Sequence, residues 1–361
     1  MQALDLIVNR ANLAEAEIID APVPEELADG QCLLQIDRFA LTANNITYAV
    51  APDVLQYWAF FPTDRDGWGR VPVWGFAEVV ATTHPDVAVG ARVYGYLPMS
   101  THLVIEPANV SKSSMMDGAA HRRPMSPIYN QYTFTDADPA WRPEAEGLIS
   151  LFRPLFTTAF LLDDLHRSNG CFGAAQVILS SASSKTAMAL AHLLSQGGDV
   201  QVVGLTSAGN VEFVEGLGCY DKVLAYEDVE TLERSAACYV DMAGNADLLR
   251  RVHAHFDDAL KNSCRVGLTH WQALGEGDTP LPGPKPEFFF APAYAQQRIA
   301  EWGQGEFLAR AGAAWAGFAA RGAAWVHVVE ERGAETVQQK YLDTLQGRVD
   351  PKDGLFLSMW G

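Results

Sequence analysis

Cysteine is scarce in this sequence and never occurs in closely spaced pairs. The 361 residues contain five cysteines, an odd number, and none of them stands in a Cys-x-x-Cys spacing. This usage argues against a disulfide framework and against a zinc cluster, because both need several thiols at matched spacings. We therefore expect no metal site and a reducing compartment, the cytoplasm.

Basic residues are also few. The sequence has 26 lysine and arginine residues against 44 aspartate and glutamate residues, which gives a formal net charge of −18. Binding to nucleic acid or to an anionic membrane requires many contacts that neutralise phosphate groups. The composition therefore predicts neither nucleic acid nor a membrane as partner.

Long uninterrupted apolar runs are absent. No stretch reaches the roughly 18 apolar residues of a membrane span, and the N-terminus lacks the basic start and apolar run of a signal peptide. Nevertheless 48% of the residues are apolar, which suffices for a large core. The length exceeds the roughly 250 to 300 residues at which a single core usually stops growing, so we expect two domains.

The first part of the chain has the pattern of a β-rich domain. Strand signals separated by Gly, Pro and Asp turns dominate up to about residue 110, whereas residues 113–146 have many Pro, Asp and aromatic residues and little periodicity. We predict that residues 1–146 form a β-rich domain. Its irregular segment 113–146 would be a lid or an oligomer contact.

Strands and helices alternate after this point, as in QVILSS, VQVVGLTS, KVLAY and CYVDMAG with the helical runs between them. Such alternation predicts an α/β domain over residues 147–275, with a doubly wound parallel sheet. A Gly/Pro-rich loop, an Ala-rich helical run and a final strand, helix and strand follow. We predict that residues 276–361 rejoin the N-terminal β unit and complete a discontinuous domain.

The first strand of the alternating region runs directly into a helix start made of small and hydroxyl-bearing residues. After QVILSS the sequence is Ala182-Ser183-Ser184-Lys185-Thr186-Ala187. Backbone N–H groups at a helix start bind anions, and small side chains here would let a pyrophosphate approach closely, as glycines do in G-x-G-x-x-G. All three glycines are missing, so an ordinary strand-to-helix turn remains the alternative. The glycines of a P-loop are missing too, which excludes that motif.

The next strand ends without an acidic residue. VQVVGLTS ends in Thr206 and Ser207, and Asn210 follows. An Asp or Glu at this point would bind the ribose hydroxyls of NAD and repel the 2′-phosphate of NADP. Its absence favours NADP, with Lys185 and Tyr226 as further phosphate contacts. The alternative is that these polar residues only form a turn.

The order of the elements and several local strings resemble one superfamily. VPVWGFAEVVATTHPDVAVGARVYGYLP, QVILSSASSKTAMALAHLL and the D-x-x-G segment YVDMAGN, with Asp241 and Gly244, are similar to strings of the medium-chain dehydrogenase/reductases. The ending AETVQQKYLDTLQGRVDPKDGLFLSMW is similar to the helix and strand that close their catalytic domain. Nearly the whole chain resembles this superfamily, in particular its zinc-free quinone-oxidoreductase-like branch.

The resemblance implies a GroES-like catalytic domain interrupted by a Rossmann domain, with NADP and substrate in the cleft between them, and a homodimer. It implies hydride transfer between the nicotinamide and a ketone, a quinone or an α,β-unsaturated carbonyl compound. The residues expected at the cofactor are Ser181, Ala182, Ser183, Ser184, Lys185, Thr186, Thr206, Ser207, Asn210, Tyr226, Asp241 and Gly244.

The zinc ligands of the superfamily are absent. Zinc-dependent members carry a cysteine and later a Gly-His-Glu string, where this sequence has FALTANN and Val73-Trp74-Gly75. The four closely spaced cysteines of the structural zinc lobe are missing as well. The resemblance therefore implies a zinc-independent enzyme, in which hydrogen-bond donors stabilise developing charge and Tyr, His or water supplies a proton.

The candidate catalytic residues occupy the segment that borders nicotinamide and substrate in the superfamily. Asn44, Asn45 and Tyr48 lie in this segment, and Thr47 replaces its usual aspartate. We expect the amides to fix substrate or cofactor and Tyr48 to donate a proton, although a simple turn is the alternative. His270, at the predicted carboxyl edge of the sheet, is a second acid candidate, or a polar residue at a loop edge.

An aromatic segment and a second class of function complete the prediction. The aromatic residues of one segment would line an apolar pocket near the cleft, or serve packing alone. These residues are Tyr57, Trp58, Phe60, Phe61 and Trp68.

A second class of function stays open beside the oxidoreductase, because the glycines and the aspartate are replaced. It is a lyase-type enzyme or a nucleotide-binding protein without net redox turnover.

Overall fold

The computed structural model describes residues 3–50, 56–266 and 280–361. His270 lies outside the described residues, so its role as an acid stays a prediction.

The described strands and α-helices are numbered separately in chain order. The strands are β1 Leu4–Asn9, β2 Asn12–Asp20, β3 Cys32–Leu41, β4 Trp68–Gly69, β5 Pro72–Thr82, β6 Arg92–Pro98, β7 His102–Ile105, β8 Pro107–Ala108, β9 Ser114–Asp117, β10 Gln131–Phe134, β11 Gln176–Leu179, β12 Gln201–Thr206, β13 Lys222–Ala225, β14 Ala237–Asp241, β15 Leu260–Arg265, β16 Glu287–Phe288, β17 His327–Arg332 and β18 Asp353–Ser358. The helices are α1 Ala43–Val50, α2 Glu146–Ser168, α3 Lys185–Gly197, α4 Val211–Gly216, α5 Ala246–Phe256, α6 Ala291–Trp302, α7 Gln304–Trp325 and α8 Ala334–Leu345.

The chain divides into two units, Met1–Leu151 with Val326–Gly361 and Phe152–Trp325, here called the first and the second unit. The first unit is β-rich and is organised around β3. Cys32, Leu34 and Ile36 alternate with less buried residues, the period of two of a strand that covers a core with one face. This strand pairs antiparallel with β5, β7 and β18, so the C-terminal strand joins the sheet of the first unit.

The segment 113–146 contains more regular structure than its sequence indicates. β9 and β10 pair with each other, and β10 pairs with β6 through Thr133 and Phe134, so the segment extends the main sheet of the first unit. The expectation of an entirely irregular segment was wrong, because two four-residue strands gain their stability from their neighbours rather than from a long alternating pattern.

The second unit contains a parallel sheet with the strand order β13-β12-β11-β14-β15-β16. The predicted fold class, α/β with a doubly wound parallel sheet beside a β-rich domain, is confirmed. β12 and β13 lie on one side of β11, whereas β14 and β15 lie on the other side. The strand order therefore reverses between β11 and β14. In open α/β sheets, ligands bind at the carboxyl ends of the strands that flank this point.

The predicted domain boundaries differ from the two units. Residues 280–325 belong to the second unit, not to the completed N-terminal domain. The reason is aromatic packing between α7 and α2: the rings of Phe318 and Phe152 are 5.1 Å apart, and those of Trp315 and Phe156 are 5.4 Å apart. A helical pattern indicates an apolar face, but not the core that this face enters.

Within the described residues, one helical stretch, Pro143–Ser168, is long and apolar enough to cross a membrane. Of its most apolar window, 72% is buried inside the protein. This burial is typical of the core helix of a soluble protein, and it accounts for the apolar side chains without a membrane.

Three buried histidines of the second unit make its stability depend on pH. Burial lowers the pKa of His166, His192 and His253. A lowered pKa means that the folded protein favours the neutral ring, so this stabilisation is complete above the ordinary pKa of about 6.5 and decreases as pH falls through it. We expect the free energy of unfolding to fall from pH 7 to pH 5, by up to about 1.4 kcal/mol per pH unit for each proton taken up on unfolding. Urea titrations at both pH values measure this change.

The pH dependence is tested by removing one buried ring. His166→Asn should reduce the slope of stability against pH by up to one proton. His327→Asn, at a side chain that is 78% exposed, is the control for the exchange itself. Equal slopes in wild type and His166→Asn would contradict the assignment.

Candidate functional site

The turn between β11 and α3 lies at the point where the strand order reverses. Ser181 has a positive φ of 50°, a conformation that glycine usually occupies. Its carbonyl oxygen accepts a hydrogen bond from the Ser184 backbone N at 2.7 Å. The Ser184 hydroxyl then caps α3 by accepting from the Ala187 backbone N at 3.4 Å. Serine hydroxyls and a strained serine therefore build the turn that glycines form elsewhere.

The turn has room for the Ala182 side chain because the neighbouring strand β12 has a glycine, Gly204, at the point of contact. Ala182 is fully buried, and a Cβ placed on Gly204 of β12 would lie only 3.0 Å from its Cβ. Tyr220 also contacts Ala182, since its hydroxyl donates to the Ala182 carbonyl oxygen at 2.9 Å. Gly204 and Tyr220 were missed in the sequence, because their proximity to the turn depends on strand pairing.

Not every amide of the turn is available to a ligand. The Ala182 N donates to Leu205 O at 3.0 Å, and the Ser184 N donates to Ser181 O. The backbone N–H groups of Ser183 and Thr186 have no acceptor in the part of the chain that the structure describes. Two such donors at the positive end of a helix dipole fit a phosphate group.

Predicted cofactor residues from two strands meet beside this turn. The Ser183 hydroxyl accepts from Asn210 Nδ2 at 3.3 Å and from the Thr206 hydroxyl at 3.5 Å. Tyr226 hydrogen-bonds Ser181, although burial raises the pKa of its phenol. The carboxyl end of β12 thus presents hydroxyl and amide groups next to the helix start, the chemistry that a ribose phosphate requires.

Asp241 has a structural role inside the protein. Its carboxylate accepts from the Ser180 hydroxyl at 2.9 Å, from the Ala243 N at 3.1 Å and from the Gly244 N at 3.0 Å. Burial raises the pKa of Asp241, and these hydrogen bonds oppose the rise. This carboxylate ties the turn after β14 to the end of β11, so it can shape a nucleotide site without touching the ligand.

Arg265 is a third residue that the sequence did not reveal. It ends β15, next to β14, and its charge acts on Asp241. Its Nε is buried and has no hydrogen-bond partner among the described residues. A basic residue at the carboxyl end of a parallel strand was the available signal, since ligands bind at that edge.

The asparagines of α1 differ in their availability. Asn45 is buried, its Oδ1 accepts from the Thr42 N at 2.7 Å and its Nδ2 donates to Pro72 O at 2.9 Å, so it serves to begin the helix. Asn44 Nδ2 donates to the Tyr48 hydroxyl at 2.7 Å. Asn44 and Tyr48 therefore remain the stronger catalytic candidates of this segment, and catalysis by either stays a prediction.

Tyr48 belongs to an aromatic cluster within the first unit. The members of the aromatic cluster are Tyr48, Tyr57, Phe60, Phe61, Trp74, Tyr96 and Tyr129. The ring centroids of Tyr48 and Tyr57 are 4.3 Å apart, and those of Tyr96 and Tyr129 are 4.9 Å apart. Burial raises the pKa of Tyr48, so its phenol keeps its proton at neutral pH and is available as a hydrogen-bond donor.

Two tryptophans expected in this cluster lie elsewhere. Trp58 packs in the main core of the first unit, with the Arg10 guanidinium 5.6 Å from its ring centroid. Trp68 lies in β4, and the Arg65 guanidinium is 3.8 Å from its ring centroid. The expectation of one shared pocket was wrong for these two, because neighbours in sequence extend in different directions from a turn.

Trp74 in β5 packs its ring against that of Tyr96, with 5.0 Å between the ring centroids. Among the described residues, no three His, Cys, Asp or Glu side chains converge on a possible metal position. Zinc independence stays a prediction.

Solved structures share this architecture. CurA from Vibrio vulnificus in complex with NADPH has a TM-score of 0.60 and 12% identity, over 99% of this chain and 98% of that chain. A mycobacterial protein complexed with NADPH has a TM-score of 0.59 and 13% identity, over 98% and 99%. An oxidoreductase from Salmonella enterica in complex with NADP has a TM-score of 0.52 and 14% identity, over 99% of each chain. The chain has the fold of the medium-chain reductases, as its resemblance implied.

A family model described as "Protein of unknown function (DUF2855)" matches residues 39–350, so the chain belongs to this family. No curated protein sequence matches the chain.

Proposed function

We propose that this protein is an NADP-dependent, zinc-independent oxidoreductase that reduces a ketone, a quinone or an α,β-unsaturated carbonyl compound. The observation that carries the proposal is the turn after β11. There the Ser183 and Thr186 N–H groups have no acceptor among the described residues, and the Ser183 hydroxyl accepts from Thr206 and Asn210. The NADPH or NADP bound to structural neighbours supports the same cofactor.

The described residues fit NADP in two places. The Ser183 and Thr186 N–H groups, at the start of α3, would hold the diphosphate. Thr206, Ser207 and Asn210, at the end of β12, would hold the 2′-phosphate, since no carboxylate stands there to repel it. When bound, NADPH supplies a hydride, so that a carbonyl gains two electrons and takes up one proton from a donor.

The proton donor that we favour is Tyr48. Its oxygen accepts from Asn44, so its own proton can be donated to a substrate oxygen. Asn44 would act as a positioning residue, because it fixes the direction of the phenol.

We expect NADPH to bind at least about tenfold more tightly than NADH, because the end of β12 offers neutral donors in place of a carboxylate. Titration followed by nicotinamide fluorescence measures both dissociation constants. In a Ser207→Asp variant the preference should decrease, since a carboxylate repels the 2′-phosphate, and Ser207→Asn provides the uncharged control. Equal binding of both nucleotides by wild type would contradict the assignment of NADP.

Turnover separates the oxidoreductase from the alternative function. Absorbance at the nicotinamide band, with a panel of enones and quinones, should show oxidation of NADPH. Tight NADPH binding with no oxidation by any compound would instead favour a protein that uses the nucleotide without net redox turnover. The homodimer and the cytoplasmic location remain predictions.

A further inference from the structure

The aromatic cluster contains hydrogen-bond donors without acceptors. Tyr96 is fully buried, and its hydroxyl has no partner within the described chain. The Trp74 indole Nε1 is buried near the Tyr48 hydroxyl, and it has no hydrogen bond of normal geometry within the described residues. Tyr48 accepts from Asn44 and keeps its own proton for another acceptor. Buried phenol and indole donors usually have partners, so these donors can bind an acceptor oxygen of a ligand.

These three donors lie next to one another although they come from three elements. Trp74 in β5 is the direct register partner of Tyr96 in β6, and their ring centroids are 5.0 Å apart. Tyr48 in α1 meets the Tyr96 ring edge-on at 5.8 Å. The three donors therefore belong to one group of packed rings.

The described surroundings of the donors are aromatic, and one cation among the described residues packs against the cluster. This cation is Arg122, which lies over the Phe60 and Phe61 rings at 5.1 and 4.8 Å and is fully buried. Its guanidinium donates to Asn130 Oδ1 and to a backbone carbonyl, and it pairs with Asp117 at 3.5 Å. Because Asp117 balances the charge of Arg122, no cation remains to compensate a ligand carboxylate.

We infer that the hydroxyls of Tyr48 and Tyr96 and the indole N–H of Trp74 bind the carbonyl oxygen of an uncharged aromatic carbonyl compound. The flat rings of the cluster match an aryl group, and the three donors match its oxygen. The inference rests on the proposed function, whose substrate class it narrows: compounds with a carboxylate beside the aryl ring are excluded, since that charge would be desolvated without a partner.

Three ligands of nearly equal shape test the recognition of the carbonyl. Acetophenone carries the oxygen, α-methylstyrene replaces this oxygen by a methylene group, and 4-acetylbenzoate adds a carboxylate. We expect ligand-observed NMR titration to give acetophenone a dissociation constant about fivefold lower than that of α-methylstyrene, and about tenfold or more lower than that of 4-acetylbenzoate. Equal binding of acetophenone and α-methylstyrene would overturn the inference, as would the absence of acetophenone binding.

Two tyrosine variants separate ligand binding from stability. Tyr96→Phe should weaken acetophenone binding about fivefold while the melting temperature stays unchanged or rises, because the lost hydroxyl has no partner among the described residues. Tyr341→Phe, in the same unit, removes a hydroxyl that donates to Leu13 O at 3.0 Å. It should lower the melting temperature and leave acetophenone binding unchanged. An unchanged dissociation constant in Tyr96→Phe would contradict the inference, as would a lowered melting temperature, since that would assign the hydroxyl to the protein itself.

The NADPH titration distinguishes this inference from the proposed function. Acetophenone binding is measured without NADPH, and NADPH binding is measured without acetophenone. If NADPH does not bind, the proposed function fails, whatever the aromatic cluster binds. If NADPH binds and Tyr96→Phe leaves acetophenone binding unchanged, only the inference fails.

Discussion

Ser184→Glu raises the dissociation constant of NADPH by at least about 100-fold. The residue precedes α3, beside the Ser183 and Thr186 amides proposed to hold the diphosphate. A unit charge about 4 Å from a phosphate charge costs about 4 kcal/mol at an effective dielectric constant of about 20, and a factor of ten in binding corresponds to about 1.4 kcal/mol. Solvent at this partly buried position reduces the effect, which leaves the stated factor as the lower bound.

A matched variant separates the charge from the added bulk. Ser184→Gln has nearly the same shape as Ser184→Glu and also removes the hydroxyl cap, so both variants lose about 1 kcal/mol of stability. Only the glutamate carries a charge, and raising the salt concentration should recover part of its binding. If both variants bind NADPH as wild type does, the diphosphate lies elsewhere and the proposed cofactor site is wrong.

Glu146→Ala destabilises the first unit by about 3 kcal/mol or more. Glu146 is 2% exposed, and its carboxylate accepts two hydrogen bonds from Arg92 at 2.6 Å each and one from Arg38 at 3.3 Å. The indole of Trp141 donates to the same carboxylate at 3.0 Å. Removing the buried partner of an ion pair costs about 3 to 5 kcal/mol. Only the more exposed carboxylates of Asp37 and Glu330 would remain beside the two guanidinium groups.

Glu330→Ala is the control for this prediction. Glu330 also pairs with Arg38, at 3.0 Å, but its side chain is 57% exposed. Exposed pairs contribute about 0 to 1 kcal/mol, so the urea midpoint of this variant should stay close to that of wild type. If the two alanine variants lost equal stability, burial would not be what makes the Glu146 network strong.

The candidate site was predicted in its chemistry and only partly in its geometry. Ser184 was identified because a small polar residue between a strand and a helix is a local pattern, and the structure shows it as the cap of α3. Ser183, Thr206 and Asn210 were expected together, and hydrogen bonds join them. Their binding of a cofactor remains a prediction.

Other parts of the site depended on contacts between distant residues. The side chain of Asn45 is of the type expected for a catalytic amide. In the structure, however, its oxygen accepts from the Thr42 N and its nitrogen donates to Pro72 O, so both polar atoms have partners. Gly204 had no signal of its own, because its importance comes from the Ala182 side chain across the sheet. Pairing partners of this kind cannot be identified from one sequence.

The alternation of strands with helices, the absence of clustered thiols and the excess of acidic residues are properties of the sequence itself, and they determined the α/β class and the kinds of partner to expect. Each arises from side-chain period or charge, which act over a few residues or over the whole composition. Only the tertiary structure decided that α7 joins the second unit and that Tyr48, Trp74 and Tyr96 meet. Those contacts are made by side chains far apart in the chain, and which apolar faces pack together depends on the shape of the whole core.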